Sequence, residues 1–268
     1  MSAIFLLAGD PAAAAEPPVV QLKLSLSNVY LIKSPRPVLV DAGSKGDMPG
    51  LETALASHGV QVRDLAVVLV THGHSDHAAL SAEIRRRSGA LLVLGKGDVP
   101  MASAGHNDEL KPTNLTADAL KRFAIDPRYE AFTPDVEVDG ELDLSRFGIA
   151  GRAVQMPGHT PGSMVVILDD GRVFVGDMIL GGWMGGALFS DRAGEHYFHA
   201  DRAGNRANIV ALLTRPLHTF YLGHGGPVSR ESVLRGFGLG DPRPGSAEAV
   251  RTSRRASAAL SATARSAR

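Results

Sequence analysis

The sequence predicts a mixed α/β fold, with two sheets inside and helices on the outer faces. Three observations predict it. Continuous apolar runs at residues 65–70 and 90–94 suit strands buried on both faces. Stretches carrying helix start and stop signals separate these runs. Beyond about residue 135 the punctuation changes to the Asp-Gly pairs of hairpins.

Taken in order, Val38 to Val40 is a short strand ended by Asp41-Ala42-Gly43. A helix is expected over residues 49–58, with Asp47 as its cap, Pro49 in its first turn and Gly59 at its exit. The strand at 65–70 leads to a helix over 78–87 closed by Gly89, then to the strand at 90–94. A helix over 117–123, capped by Thr116, lies in a less regular stretch. Asp139-Gly140 reads as one hairpin turn. Asp170-Gly171, between apolar runs at 164–168 and 173–175, reads as another. A helix over 202–213 and a strand over 218–222 complete the body.

Composition narrows the chemistry. Hydrophobic residues make up 44% and charged residues 21%, enough for a sizeable core. Lys and Arg number 28, as do Asp and Glu, so no broad field favours nucleic acid or an anionic membrane, and nucleic acid is not an expected partner. The absence of cysteine excludes disulfide scaffolds, thiolate zinc sites and a cysteine nucleophile. Any metal site must use His, Asp and Glu.

The folded body is expected over 18–240. Residues 1–17 read as an Ala/Pro-rich leader or as a truncated signal-like segment lacking basic residues. The latter leans toward a periplasmic or secreted protein. No apolar run is long enough to span a bilayer. Residues 241–268 read as a disordered Ala/Ser/Arg-rich tail. Its six Arg against Asp241 and Glu248 give it +4 and leave the rest of the chain at −4.

One segment stands out. Thr71-His72-Gly73-His74-Ser75-Asp76-His77 follows directly on an apolar strand, where ligand sites collect in α/β sheets. Imidazole and carboxylate are the ligands zinc accepts when thiolates are absent. His72 and His74, two apart, can point to one side of an extended turn. Asp76 and His77 start the next turn and can reach a second metal. His159 sits in the Gly/Pro-bracketed segment Pro157-Gly158-His159-Thr160-Pro161-Gly162. Asp177 and His224 each end a strand, so all seven can converge on one edge.

This set, with Asp41, resembles the metallo-β-lactamase superfamily of hydrolases over about residues 19–235. The resemblance implies an αββα sandwich with a dinuclear centre at one edge. It implies His72, His74 and His159 on one metal, Asp76, His77 and His224 on the other, and Asp177 bridging. Asp41 would lie behind the site and orient a ligand. Two zinc ions are the expected cofactors, with iron or manganese left open. The expected reaction is attack of a metal-bridging hydroxide on a small carbonyl substrate, a thioester, ester or lactone, with Asp76 orienting hydroxide and passing a proton. Phosphodiester or RNA hydrolysis and an iron-dependent persulfide dioxygenase are the alternatives.

Departures from individual subfamilies narrow the choice without naming a substrate. The bridging Asp177 argues against a dedicated β-lactamase. Leu180 stands where acyl-homoserine lactonases carry Tyr. Gly181 to Gly186 replaces the Gly-Cys-Gly-Arg segment of glyoxalase II. Trp183 and Met184 in that segment, and His196, Tyr197 and His199 beyond it, are the candidate pocket walls. Oligomeric state is not legible.

Overall fold

A computed structural model describes residues 17–123 and 126–242. The leader expected over 1–17 and the tail expected over 241–268 lie almost wholly outside the described residues.

The first sheet holds β1 (Val19–Lys23), β2 (Asn28–Ile32), β3 (Val38–Val40), β4 (Val67–Val70), β5 (Leu91–Gly95) and β6 (Val136–Val138), in that order. β1 to β3 pair antiparallel and β3 to β6 parallel. Next along the chain come β7 (Glu141–Asp143), β8 (Gly151–Gln155), β9 (Met164–Leu168) and β10 (Arg172–Gly176). A two-stranded ribbon of β11 (Leu180–Trp183) and β12 (Leu188–Gly194) follows, then β13 (Thr219–Leu222) and β14 (Val228–Ser229). The second sheet runs β14-β13-β10-β9-β8-β7. The helices are α1 (Met48–Ala56), α2 (Ser75–Ala78), α3 (Ser81–Ser88), α4 (Val99–Ala104), α5 (Leu115–Phe123), α6 (Arg202–Leu213) and α7 (Arg230–Gly236).

Side-chain alternation explains why the central strands read as unbroken apolar runs. Tyr30, Ile32, Val67 and Leu69 face Met164, Val166 and Phe174 in a core between the sheets. Val29, Leu31, Val68 and Val70 point the other way, onto Leu51 and Leu55 of α1 and Ile84 of α3. Val165, Ile167 and Val173 of the second sheet pack on Ile209 and Leu212 of α6 and Val233 of α7. Helix, sheet, sheet, helix is the layer order, as expected.

Four local expectations are corrected. Asp47 occupies the N-cap position of α1, but its carboxylate turns back to accept from the Ser44 N–H at 2.9 Å, and no side-chain cap forms. The helix expected over 78–87 is found as α3 but starts later, at Ser81; just before it the His77 carbonyl accepts from the Ala42 N–H at 2.7 Å and the Ala79 N–H donates to the Gly43 carbonyl at 3.2 Å. Asn114, rather than Thr116, caps α5, accepting from the Ala117 N–H at 2.9 Å. Asp139-Gly140 is a crossing between sheets, since β6 pairs with β5 while β7 pairs with β8.

Candidate metal centre

β3, β4, β10 and β13 end at the same edge, and each continues into a residue of the centre. Asp41 follows β3, His72 to His77 follow β4, Asp177 follows β10 and His224 follows β13. His159 arrives from the turn between β8 and β9. Asp98 fixes that turn against the β4 loop. Its Oδ2 accepts from the Gly73 N–H at 2.9 Å and the Thr160 hydroxyl at 2.7 Å, and its Oδ1 from the Gly162 N–H at 2.6 Å.

Three overlapping groups of side chains result. His72, His74 and His159 form one, Asp76, His77, Asp177 and His224 a second, and His159, Asp177 and His196 a third. Within each, the potential ligand atoms all lie within 4.8 Å of one another. Asp177 also links the groups: its Oδ2 lies 3.8 Å from the Nε2 of both His72 and His159, and 3.3 Å from His224 Nε2.

Each of the five imidazoles has one nitrogen engaged on the outside. His77 Nδ1–H donates to Asp41 at 3.0 Å, His74 Nε2–H to Asp108 at 3.1 Å, His159 Nδ1–H to the Phe198 carbonyl at 2.8 Å, and His224 Nδ1–H to the Leu26 carbonyl at 2.9 Å. His72 Nδ1–H donates to the Thr71 hydroxyl at 3.1 Å, which donates onward to Asp41 at 3.0 Å. The other nitrogen of every ring therefore turns toward the centre, where it can offer a lone pair to a metal once it carries no proton. His159 Nε2 and His74 Nδ1 face one another at 3.1 Å, and His77 Nε2 and His224 Nε2 at 3.4 Å. Asp41 is held behind His77 in a left-handed backbone conformation, φ 64°, and also accepts from the Thr71 N–H at 2.7 Å.

The residues fit a metal. His72 Nε2 and Asp177 Oδ1 are buried without a hydrogen-bond partner, an arrangement costly in a protein unless an ion supplies the partner. Gly223 leaves the space clear: a Cβ there would stand 2.0 Å from Asp177 Oδ1.

The electrostatics divide the same way. Burial lowers His72 and His159 well below the usual imidazole range, so both are neutral. Burial opposes charge on His77 and His224 as well, but Asp177 and Asp76 outweigh it. His77 is raised well above its usual range, and His224 is pushed up to about 10. Burial works against the charged forms of Asp76 and Asp177 too, yet the imidazoles beside them hold both well below the usual carboxylate range. Ligands must be deprotonated to bind a metal, so binding here displaces protons from His77 and His224.

A cavity of about 240 Å³ opens over the centre. Leu26, Leu110, Leu180, Met184, Tyr197 and Phe198 give it a largely apolar wall, and among the described residues no Lys or Arg lines it. Of the expected pocket residues, Met184, His196 and Tyr197 line it, whereas Trp183 and His199 do not. His199 lies beneath, its ring 5.6 Å from that of His159 and its Nε2 3.4 Å from Asn205 Nδ2. His196 reaches further in than a wall residue, with Nε2 3.1 Å from Asp177 Oδ2. Its Nδ1 lies 3.3 Å from the Phe198 nitrogen and 3.4 Å from the Phe198 carbonyl oxygen; with the proton on Nε2 the ring donates to Asp177, and without it Nε2 can join His159 and Asp177 as a ligand.

Sequence reasoning missed Asp98, Asp108 and Asn107, whose Oδ1 accepts from the Ser75 N–H at 2.7 Å. Only Asp98 carries a local signal. It follows Gly95 and Gly97 at a strand end, and a Cβ at Gly95 would stand 1.8 Å from the Gly162 carbonyl oxygen. Asp108 and Asn107 sit in a stretch without periodicity.

The sequence profile of the metallo-beta-lactamase superfamily matches residues 22–224. A hydroxyacylglutathione hydrolase of Anaeromyxobacter dehalogenans is 33% identical over 148 residues, 55% of this chain and 42% of that protein. The probable metallo-hydrolase YflN of Bacillus subtilis is 28% identical over 170 residues, 59% of this chain and 63% of that protein. The chain thus spans about half the length of the curated relatives it matches. Among solved structures, the family protein TTHA1429 of Thermus thermophilus superposes with a TM-score of 0.58 at 20% identity, covering 82% of this chain and 77% of that one. BJP-1, a subclass B3 metallo-beta-lactamase of Bradyrhizobium japonicum, gives 0.54 at 18% identity, covering 92% and 97%. At such identity these likenesses speak for the fold alone. The profile match over most of the chain makes it a member of the metallo-beta-lactamase superfamily.

Proposed function

We propose that the protein, through a catalytic unit spanning 18–240, is a two-zinc hydrolase of small carbonyl substrates: a thioester, ester or lactone. The observation that carries this reading is the convergence of seven His and Asp ligand atoms, split into two groups that share Asp177, beneath a largely apolar cavity. His72, His74 and His159 would hold one ion, Asp76, His77 and His224 the other, and Asp177 both. Two such ions, when bound, lower the pKa of a shared water toward neutrality and polarise the substrate oxygen.

The chain's own residues supply the rest. Asp41 fixes the His77 ring through Nδ1 and so aims its Nε2. Asp76 is the acidic group lining the cavity beside Asp177, and is the more exposed of the two. It takes the proton released on attack and returns it to the leaving group. The apolar walls exclude bulk water and strengthen the local electrostatics. A glutathione thioester, the substrate class in the name of one relative, carries carboxylates that no Lys or Arg in the cavity wall would meet. A substrate uncharged near its scissile bond suits these walls better.

Metal analysis and rates on zinc-loaded protein test the reading. The expected result is about two zinc ions per chain and faster turnover of thioesters and lactones than of a phosphodiester. Faster phosphodiester turnover overturns it in favour of a nuclease-type reaction. One iron per chain with oxygen-dependent persulfide consumption overturns it in favour of a dioxygenase.

A further inference from the structure

Seven large apolar side chains are exposed among the described residues, and four of them, Trp183, Met184, Leu188 and Phe189, crowd the tip of the β11–β12 ribbon. Trp183 is 71% exposed and Met184 72%. Trp183 and Leu188 are paired across the ribbon. Met184 and Leu26, also exposed, line the cavity over the metal centre, so Met184 belongs both to the cavity wall and to the tip. The Tyr197 hydroxyl, itself in the cavity wall, accepts from the Met184 N–H at 3.3 Å and ties tip to wall.

A second observation is independent of exposure. Met184 and Phe189 have left-handed backbones, φ 52° and 54°, where glycine is ordinarily used. Glycine does occupy the tip at Gly185 and Gly186. The backbone disfavours bulky side chains at these two positions, yet Met184 and Phe189 leave most of their apolar surface exposed, with Arg192 over one face of the Phe189 ring. Apolar surface presented in this way beside a cavity suits binding.

We infer that this tip is a platform for a long apolar acyl chain: the substrate's scissile carbonyl sits in the cavity and its tail passes over Met184 onto Leu188 and Phe189. The inference rests on the carbonyl-hydrolase reading and adds the substrate class, an uncharged long-chain acyl ester, thioester or lactone. Neutral acyl chains are favoured over an anionic ligand because the cavity wall is largely apolar and Arg192, on the same ribbon, is engaged over the Phe189 ring at 4.5 Å.

Trp183 is the only tryptophan in the chain, so its fluorescence reports on the tip directly. Titration with 2-tridecanone, an unhydrolysable neutral long-chain carbonyl, should give a saturable blue shift that 2-pentanone does not. The double substitution Leu188→Ser/Phe189→Ser, which keeps the reporter, should weaken that binding at least about tenfold. On zinc-loaded protein, kcat/KM should rise about fourfold per methylene across a thioester or lactone series, the fold-change equivalent of about 0.8 kcal/mol, and the double variant should flatten this slope. No shift with 2-tridecanone, or a flat series in the unsubstituted protein, overturns the inference. A shift with phosphatidylcholine vesicles but not with the ketone overturns it in favour of a membrane surface. A dimer that the double variant dissociates overturns it in favour of a second copy. If no carbonyl substrate is turned over, the hydrolase reading fails, while the ketone titration still reads the tip.

Discussion

The buried centre and the exposed ribbon tip use strained backbone in opposite ways. The only non-glycine residues with positive φ among the described residues are Asp41 in the centre and Met184 and Phe189 at the tip. Asp41 is fully enclosed and held by three hydrogen bonds, two from Thr71 and one from His77. The tip has turn hydrogen bonds of its own, from the Gly186 N–H to the Trp183 carbonyl and from the Ala187 N–H to the Met184 carbonyl, and the Met184 N–H ties it to Tyr197 in the cavity wall. The centre therefore spends its strain on fixing ring orientations, which polar partners over-determine. At the tip the strain presents apolar surface to solvent. A site that must place charges within tenths of an ångström needs the first arrangement; a surface that must accept a flexible chain can use the second.

The largest effect expected within the centre is at Asp76. Asp76→Ala should lower kcat by about 10²- to 10⁴-fold, and should also lower the metal-free melting temperature, because the Asp76 carboxylate offsets the buried charge on His77 and His224. Stopped-time assays with parallel melting curves check this, and unaltered turnover would remove Asp76 from proton transfer.

His196 comes next, since it touches Asp177 without belonging to the seven. His196→Ala should weaken metal affinity about 10- to 100-fold, the usual effect of losing an outer hydrogen bond to a ligand. His196→Gln, which can restore an N–H donor to Asp177, should recover most of that loss. Chelator competition measures both. Equal loss in the two variants would mean that the ring binds metal directly.

A smaller effect is the pH dependence of the metal-free protein. Burial depresses His199 to about 3 from an unfolded value near 6.5. The native state thus binds fewer protons there, and stability is lost as pH falls from about 6.5 toward 3. His224 is raised to about 10, so its contribution is complete below about 6.5 and is lost as pH rises toward 10. Melting temperature should peak near pH 6.5 and fall on both sides. His199→Gln should flatten the acid limb. Saturating zinc should remove the alkaline limb, because ligation replaces the proton on His224.

The smallest effect is at the tip. Trp183→Ala should change stability by less than about 0.5 kcal/mol in chemical denaturation, as for other exposed positions. A larger loss would show that the tip is part of the fold after all, and would erase the contrast with the centre.

Much of this was legible because it is local. The strand at Val67–Val70 reads from a run of apolar residues, and the hairpin at Asp170-Gly171 from its turn chemistry. α6 over Arg202–Leu213 matches the expected residues 202–213, with Asp201 capping it by accepting from the Gly204 N–H. The spacing within His72 to His77 records that neighbouring residues share a turn. Asp139-Gly140 looks the same as Asp170-Gly171 in sequence, yet crosses between sheets, because strand partners are chosen by distant residues.

The sequence alone therefore determined the layered α/β class, the placement of the potential ligands at strand ends and the restriction of metal chemistry to imidazole and carboxylate. Those follow from periodicity, turn residues and composition, which a chain carries in every short window. Only the tertiary structure decided which ring nitrogen of each His faces inward, that Asp98 and Asp108 stand behind the loops, and that His196 turns toward Asp177 while His199, three residues on, is buried beneath. Each of those depends on a partner 19 or more residues away or on a backbone turn within a few residues, and neither leaves a mark in the local pattern.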